Sequence, residues 1–205
     1  MKRPKVRELG EALRSLTSAP FTTKYPFAPA EVQKEFRGKP IFIEENCIVC
    51  GACAEVCPSN AIEVEEYKKD DKMYRVLIRD YGKCIFCGEC LAHCTTQNGI
   101  EFTNEFEMAS LSKEDFFERI EDKLVLCEIC GKPITTEKHL DWLEKKLGEK
   151  AFANQSIIIQ RAIELGLIDE EPADKEARER FLREDFYRRL CPACRASMFL
   201  KEDWG

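Results

Sequence analysis

The chain has no long apolar run. Its apolar stretches are only a few residues long, as in Ser156-Ile157-Ile158-Ile159, so nothing in it is expected to span a bilayer. It opens with Met-Lys-Arg-Pro-Lys and shows no N-terminal h-region, which argues against a secreted, disulfide-stapled protein. At 205 residues it can also build a core without such staples. Neither G-x-G-x-x-G nor the P-loop pattern occurs, which leaves no nucleotide-binding loop. No carboxylate pair and no nucleophile–base set stands out, so the chain is expected to carry no catalytic site of its own. Glutamine and asparagine number only four and five against 34% charged residues, a balance that leans toward a heat-adapted source.

The net charge of −6 is unevenly spread. Residues 1–40 carry +5, residues 41–107 carry −7 and residues 108–205 carry −4. A basic arm ahead of an acidic domain argues against nucleic acid as a partner and suits an arm lying on an acidic protein or lipid surface. The alternative is an ordinary solvated tail.

What the chain does have is cysteine, twelve in all. Eight fall in two runs, Cys47-x-x-Cys50-x-x-Cys53-x-x-x-Cys57-Pro58 and Cys84-x-x-Cys87-x-x-Cys90-x-x-x-Cys94. Each run has the bacterial-type spacing for a [4Fe–4S] cluster, in which three thiolates wrap one cube and the fourth reaches the other. Cys47, Cys50, Cys53 and Cys94 are therefore assigned to a first cluster, and Cys84, Cys87, Cys90 and Cys57 to a second. Eight zinc thiolates are the alternative, but zinc sites rarely use this triple spacing. Ile48, Val49, Val56, Ile85 and Phe86 lie within the runs and are expected to keep water from the clusters. The second run ends in Thr95 where the first has Pro58, which is expected to leave an extra N–H and hydroxyl near Cys94. His93 reads as an exposed helical residue or a hydrogen-bond donor to a sulfur, and His139 as a surface helix residue.

The two runs are one unit repeated. Adding 37 to Cys47, Cys50, Cys53 and Cys57 gives the second set, and Gly51 maps onto Gly88. Each half reads as strand, cysteine loop, short helix and strand, with exits at 61–64 and 100–102. The charged segment 65–72 reads as a hairpin tip. The expected fold is α+β: a duplicated βαβ two-[4Fe–4S] ferredoxin domain over 41–107, behind an extended N-terminal arm over 1–40. In that arm Val6, Leu9, Leu13 and Leu16 predict an amphipathic helix. Pro20, Pro26 and Pro29 predict an extended strap whose Phe21, Tyr25, Phe27 and Phe36 lie on a partner or on the protein's own body.

Ser112-Lys113-Glu114-Asp115 carries a capping pattern and predicts a linker helix within 108–126. Beyond it, Cys127-x-x-Cys130 and Cys191-x-x-Cys194 frame a helical module over 127–205. Two such knuckles supply four thiolates, as in a structural zinc site, with a single iron as the alternative. Helices are expected over 136–147, 155–165 and 173–190, the first two stopped at Gly148 and Gly166. The arginines of 178–189 alternate with acids and read as an ion-paired face.

Tyr25-Pro26, Phe36-Arg37-Gly38-Lys39-Pro40, the run from Cys47 to Ala61, Lys83 to Gly88, Lys113 to Phe116 and the two knuckles together carry a resemblance. The chain resembles the two-cluster iron–sulfur subunit of formate hydrogenlyase and hydrogenase-4 type complexes, related to the peripheral-arm ferredoxin subunit of respiratory complex I. Thr95 and the long insert 136–190 depart from that pattern. The resemblance implies an electron relay on the cytoplasmic side of a membrane-bound complex, peripheral and without a transmembrane segment. Its implied partners are hydrogenase small and large subunit-like proteins, an electron-input iron–sulfur protein and membrane-embedded subunits. The competing readings are a free soluble ferredoxin and an iron–sulfur or zinc-ribbon module of a regulator.

Overall fold

The computed structural model describes residues 5–19, 22, 24–170 and 183–201. Phe21, Pro20 and most of the helix expected over 173–190, with the arginines at its start, lie outside the described residues. The chain divides into two compact units, Met1–Phe36 and Arg37–Gly205.

In the first unit, helix α1 spans Val6–Thr17, as the apolar spacing predicts. The Glu8 carboxylate accepts a hydrogen bond from Lys5 N at 3.1 Å and closes the first turn. Val6, Leu9, Leu13 and Leu16 form one stripe, and all four are exposed. Phe27 is 97% exposed, and Tyr25 and Phe36 are 39% and 44% exposed.

The second unit begins where the Arg-Gly-Lys segment lies along the end of the ferredoxin repeat. Gly38 N donates to Thr103 O at 3.0 Å, Thr103 N to Lys39 O at 2.9 Å and Lys39 N to Glu105 O at 2.9 Å. The pairing continues as β1 (Pro40–Phe42) against β4 (Ile100–Phe102), antiparallel. Between them run α2 (Ala52–Glu55), β2 (Ile62–Lys69), β3 (Lys72–Asp80) and α3 (Glu89–Ala92). The hairpin tip is shorter than the charged segment suggests. β2 continues to Lys69, and only Asp70 and Asp71 turn, both at positive φ (49° and 63°). Two left-handed residues match the twist of the flanking strands, and Asp tolerates that conformation.

The repeat is written in the backbone as well as in the cysteines. Val49 and Phe86, Gly51 and Gly88, and Asn60 and Gln97 all have positive φ and are separated by the same 37 residues. The two short helices obey the same offset.

The linker helix is not formed. Lys113 leads only a single 3-10 turn, Glu114–Phe116, and the chain then extends as β5 (Phe117–Leu126). β5 pairs antiparallel with β3 along its length, from Tyr74↔Lys123 to Asp80↔Phe117, and then with β6 (Pro133–Thr136). The sheet order is β2-β3-β5-β6. The local capping signal is honoured for one turn. The open edge of β3, with its unpaired backbone groups, then outweighs helix propensity. Glu118, Ile120, Asp122 and Leu124 are covered on one face of β5 while Phe117, Arg119 and Glu121 are exposed on the other, the period-two alternation of a strand.

This sheet fuses the cysteine-knuckle segment to the ferredoxin repeat. β6 leads into α4 (Glu137–Leu147), whose Lys138 N is capped at 2.9 Å by Asp122 Oδ2 from β5. α5 (Gln155–Glu164) starts at Asn154, whose Oδ1 accepts from Ser156 N at 3.0 Å. A 3-10 segment, Arg183–Tyr187, and α6 (Pro192–Lys201) complete the described elements. Three buried clusters result: one around Phe42, Leu77 and Ile120, one around the knuckles, and one joining Val125, Leu140, Ala151 and Ile157. Among the described residues no helix is long and apolar enough to cross a membrane.

Candidate metal centres

Each cysteine loop is shaped by a pair of left-handed residues followed by a short helix. Glycine is needed at 51 and 88, where φ is 87° and 88°. Cys57 joins Cys84, Cys87 and Cys90 in lining a single cavity, together with Ile62, Phe86 and Phe102. On the other side, the segment carrying Cys94 lies against the first loop. Thr95 Oγ1 is 3.3 Å from Cys50 Sγ, and Gly99 packs so closely that a Cβ there would lie 3.2 Å from Cys94 Sγ and 3.3 Å from Asn46 O. The Thr95 hydroxyl therefore serves Cys50 rather than Cys94. Cys94 has Thr96 Oγ1 at 3.4 Å instead, just as Cys57 has Ser59 Oγ at 3.7 Å at the equivalent place in the first half. Ala61 N also donates to Cys57 Sγ at 3.2 Å.

Burial pushes the Cys53 thiol up to about 12 and also raises Cys47 and Cys90. Cys57 is partly buried too, yet hydrogen bonds from Ala61 and Ser59 outweigh that burial and hold it below the usual thiol range. Buried thiols that stay protonated without a cation, beside donors already aimed at sulfur, suit a metal-bound thiolate.

The two loops differ in cover. Ile48 and Val49 are buried, as expected of residues that exclude water. Ile85 is 61% exposed and Cys87 is exposed, so the second loop is open at its tip. His93 makes no hydrogen bond to sulfur; its Nδ1 is 3.1 Å from Glu89 O and 3.4 Å from Glu89 Oε2. His139 is half-buried rather than a surface residue, with Nδ1 2.7 Å from Thr135 Oγ1. Burial and the charge of Arg75 hold its imidazole below the usual range.

Sequence reasoning missed a charged cluster at the wall of the cavity formed by Cys57, Cys84, Cys87 and Cys90. Arg79 is 1% exposed, lines that cavity and donates from Nη1 to Pro40 O at 2.7 Å and Glu118 Oε2 at 2.6 Å. Tyr81 Oη lies 2.7 Å from Pro40 O and 2.8 Å from Glu118 Oε2, and Phe42 N donates to Glu118 Oε1 at 2.8 Å. The Phe42 ring lies 3.9 Å from the guanidinium carbon. An arginine ending the Val76-Leu77-Ile78 run was the available signal.

The third centre is the most compact. The sulfurs of Cys127, Cys130, Cys191 and Cys194 all lie within 4.8 Å of one another, and Cys130 and Cys191 are 3.7 Å apart. A tetrahedral ion with sulfurs at about 2.3 Å sets them about 3.8 Å apart, so the donor set fits such an ion. Cys194 N donates to Cys191 Sγ at 3.5 Å, and Glu128 N donates to Arg189 O at 3.0 Å, joining the knuckles. Beside them Arg189 Nε donates to Glu128 Oε1 at 2.9 Å, and both side chains are buried. Burial pushes the Cys194 and Cys130 thiols up, while hydrogen bonds from the Cys194 N–H and neighbouring thiols hold Cys191 down despite its burial.

The duplicated backbone and its two thiol sets define a protein of the two-cluster [4Fe–4S] ferredoxin class. Residues 46–98 match the 4Fe-4S dicluster domain family. Formate hydrogenlyase subunit 6 of Escherichia coli is 38% identical over 59% of this chain and 66% of that protein. NAD(P)H-quinone oxidoreductase subunit I of Gloeobacter violaceus is 31% identical over 52% of each chain. NADH-quinone oxidoreductase subunit I 2 of Geobacter metallireducens is 32% identical over 55% of this chain and 90% of its own length. The chain belongs to this family of iron–sulfur subunits. It spans about two thirds of the first of these relatives and about half of the second.

Proposed function

We propose that this protein is an electron-transfer subunit, relaying electrons through two [4Fe–4S] clusters between an electron-input protein and a hydrogenase-like or complex-I-like module at a membrane. The observation that supports the reading is that Cys57 lines the cavity of Cys84, Cys87 and Cys90, while Thr95, next to Cys94, lies 3.3 Å from Cys50 on the first loop. Bound clusters supply one-electron chemistry at potentials set by burial, charge and hydrogen bonding. The chain's own residues do the rest. Cys47, Cys50, Cys53 and Cys94 would hold the first cluster, and Cys84, Cys87, Cys90 and Cys57 the second. Ile48 and Val49 keep water from the first, while the exposed Cys87 tip leaves the second open to a partner.

The four remaining thiols, Cys127, Cys130, Cys191 and Cys194, would hold one zinc ion that closes the end of the sheet. The partners would be hydrogenase small and large subunit-like proteins, an electron-input iron–sulfur protein and membrane-embedded subunits, on the cytoplasmic face. The exposed apolar stripe of α1 and the uncovered Phe27 favour a fixed subunit over a free soluble ferredoxin.

The test is anaerobic purification with metal analysis and EPR. The expected result is about eight irons and one zinc per chain, two interacting [4Fe–4S] signals, and co-purification of hydrogenase-like subunits. A free monomer that shuttles electrons at full rate would refute the subunit reading. Cys57→Ser should damage the cluster otherwise held by Cys84, Cys87 and Cys90; damage to the cluster held by Cys47 would refute the crossed assignment.

A further inference from the structure

Arg79 is a buried cation with two donors to spare. Its Nη1 is satisfied by Pro40 O and Glu118, but Nε and Nη2 are fully buried and have no hydrogen-bond partner. A buried N–H left unpaired forfeits its hydration with nothing in return, so such donors are kept where an acceptor meets them. The side chain lines the cavity walled by Cys57, Cys84, Cys87 and Cys90. Phe42 covers one face of the guanidinium, and Pro40, Tyr81 and Glu118 occupy its Nη1 side. The strongest acceptors a loaded cavity would offer these donors are the thiolates of Cys57, Cys84, Cys87 and Cys90 that line it with Arg79.

We infer that Arg79 tunes the second cluster, donating hydrogen bonds from Nε and Nη2 to its sulfurs and holding its reduction potential above the value the site would otherwise have. The inference rests on the two-cluster reading above and adds a positioning residue outside the ligand runs. An electron arriving at this site adds one negative charge beside a fixed positive one whose burial weakens screening by solvent. Hydrogen bonds to cluster sulfur and nearby charge are two of the levers that set such potentials. Glu118 opposes the effect, since its carboxylate neutralises part of the guanidinium charge from the far side.

The experiment is an EPR-monitored redox titration of the anaerobic holoprotein, comparing wild type with Arg79→Met, Arg79→Lys and Glu118→Gln. Iron and zinc content are measured for each. Arg79→Met should lower one cluster's midpoint so that the reduced-to-oxidised ratio at a fixed poise falls tenfold or more, about 59 mV for one electron. The other cluster should move less. Arg79→Lys keeps the charge but not the planar fork, so its shift should have the same sign and be smaller. Glu118→Gln should raise the same midpoint. If Arg79→Met does not fold, the opposite shifts of Arg79→Lys and Glu118→Gln decide the matter. Fully loaded variants with unchanged midpoints would overturn the inference while leaving the two-cluster reading intact. A wild-type protein without two [4Fe–4S] signals would overturn both.

Discussion

Thr136 Oγ1 donates a 2.6 Å hydrogen bond to the backbone carbonyl of Ile48, across 88 residues of chain and in a fully buried setting. Thr136 ends β6, and Ile48 sits inside the first cysteine loop. The knuckle segment is thereby tied to the loop that holds Cys47 and Cys50. Thr136→Val keeps the shape and removes the hydroxyl, leaving the Ile48 carbonyl buried without this partner. We predict a loss of about 1–3 kcal/mol in denaturant unfolding. We also predict faster bleaching of one cluster's visible absorbance under chelator. Equal midpoints and equal bleaching would show that the tie contributes nothing.

The Arg189–Glu128 pair tests how the knuckles are closed. Arg189 also donates from Nη1 to Gln160 Oε1 at 3.1 Å, so it links the two cysteine pairs to α5. Arg189→Met strands a buried carboxylate, at an expected cost of about 3–5 kcal/mol. The double variant with Glu128→Gln should recover part of that loss. Release of the zinc ion proposed for the knuckles to a colorimetric chelator should accelerate in the single variant, with the iron signals largely retained. If the single and double variants lose zinc equally fast, the stranded charge is not the cause.

A pH dependence follows from Asp141 on α4. Burial, then a hydrogen bond to Glu164 and the charges of Glu164 and Glu137, push its carboxyl up to about 7, with Lys145 pulling the other way. Glu164 is held below its usual range by the proton that Asp141 donates and by Arg161. A raised carboxyl contributes stability that is complete below its unfolded value and is lost as pH rises through about 7. The depressed Glu164 contributes above its unfolded value and loses that contribution as pH falls through its folded one. Asp141→Asn keeps a donor that cannot ionise. Urea midpoints of wild type should therefore fall relative to the variant between pH 5 and pH 8. Thiol and cluster effects are common to both proteins and cancel. Parallel curves would refute the assignment.

Much of this molecule is legible in its sequence because its ligand chemistry is local. Cysteine offsets of three and four residues reflect loop geometry, and Gly51 and Gly88 mark the turns that loop requires. The stripes of α1, α4 and α5 follow from apolar spacing in the same way. What escaped is what depends on distant partners. Glu118 faces inward from β5 and breaks the apolar alternation that would have declared a strand. It is acceptable there only because Arg79 and Tyr81, 39 and 37 residues earlier, meet it. Without that alternation, the capping pattern at Ser112 was the stronger local signal, and it pointed to a helix. The same Glu–Arg–Tyr set joins the fold to the cavity walled by Cys57, Cys84, Cys87 and Cys90, so one unreadable contact hid both a strand and a candidate tuning residue.

Gly38 offers the sharpest test of the N-terminal strap segment. Its amide pairs with Thr103 O at 3.0 Å, and a Cβ at this position would come closer than 3.0 Å to Thr103 O, Glu105 O and Glu105 N. All three are backbone atoms, so no side chain can swing aside. Gly38→Ala should therefore push the Arg37–Lys39 segment off the residues that follow β4, at an expected cost of about 1–3 kcal/mol for overpacking. Arg37, whose Nη1 reaches Cys87 O at 3.4 Å, would be displaced with it. Amide exchange at Lys39 and Thr103 should accelerate, and the signal of the cluster assigned to Cys87 in the proposed reading should broaden or shift. Gly10 in the exposed helix α1 supplies the control, because a Cβ there meets nothing within 4 Å. Gly10→Ala should be neutral or mildly stabilising. If Gly38→Ala behaves like Gly10→Ala, close approach at the strap is not what holds it in place.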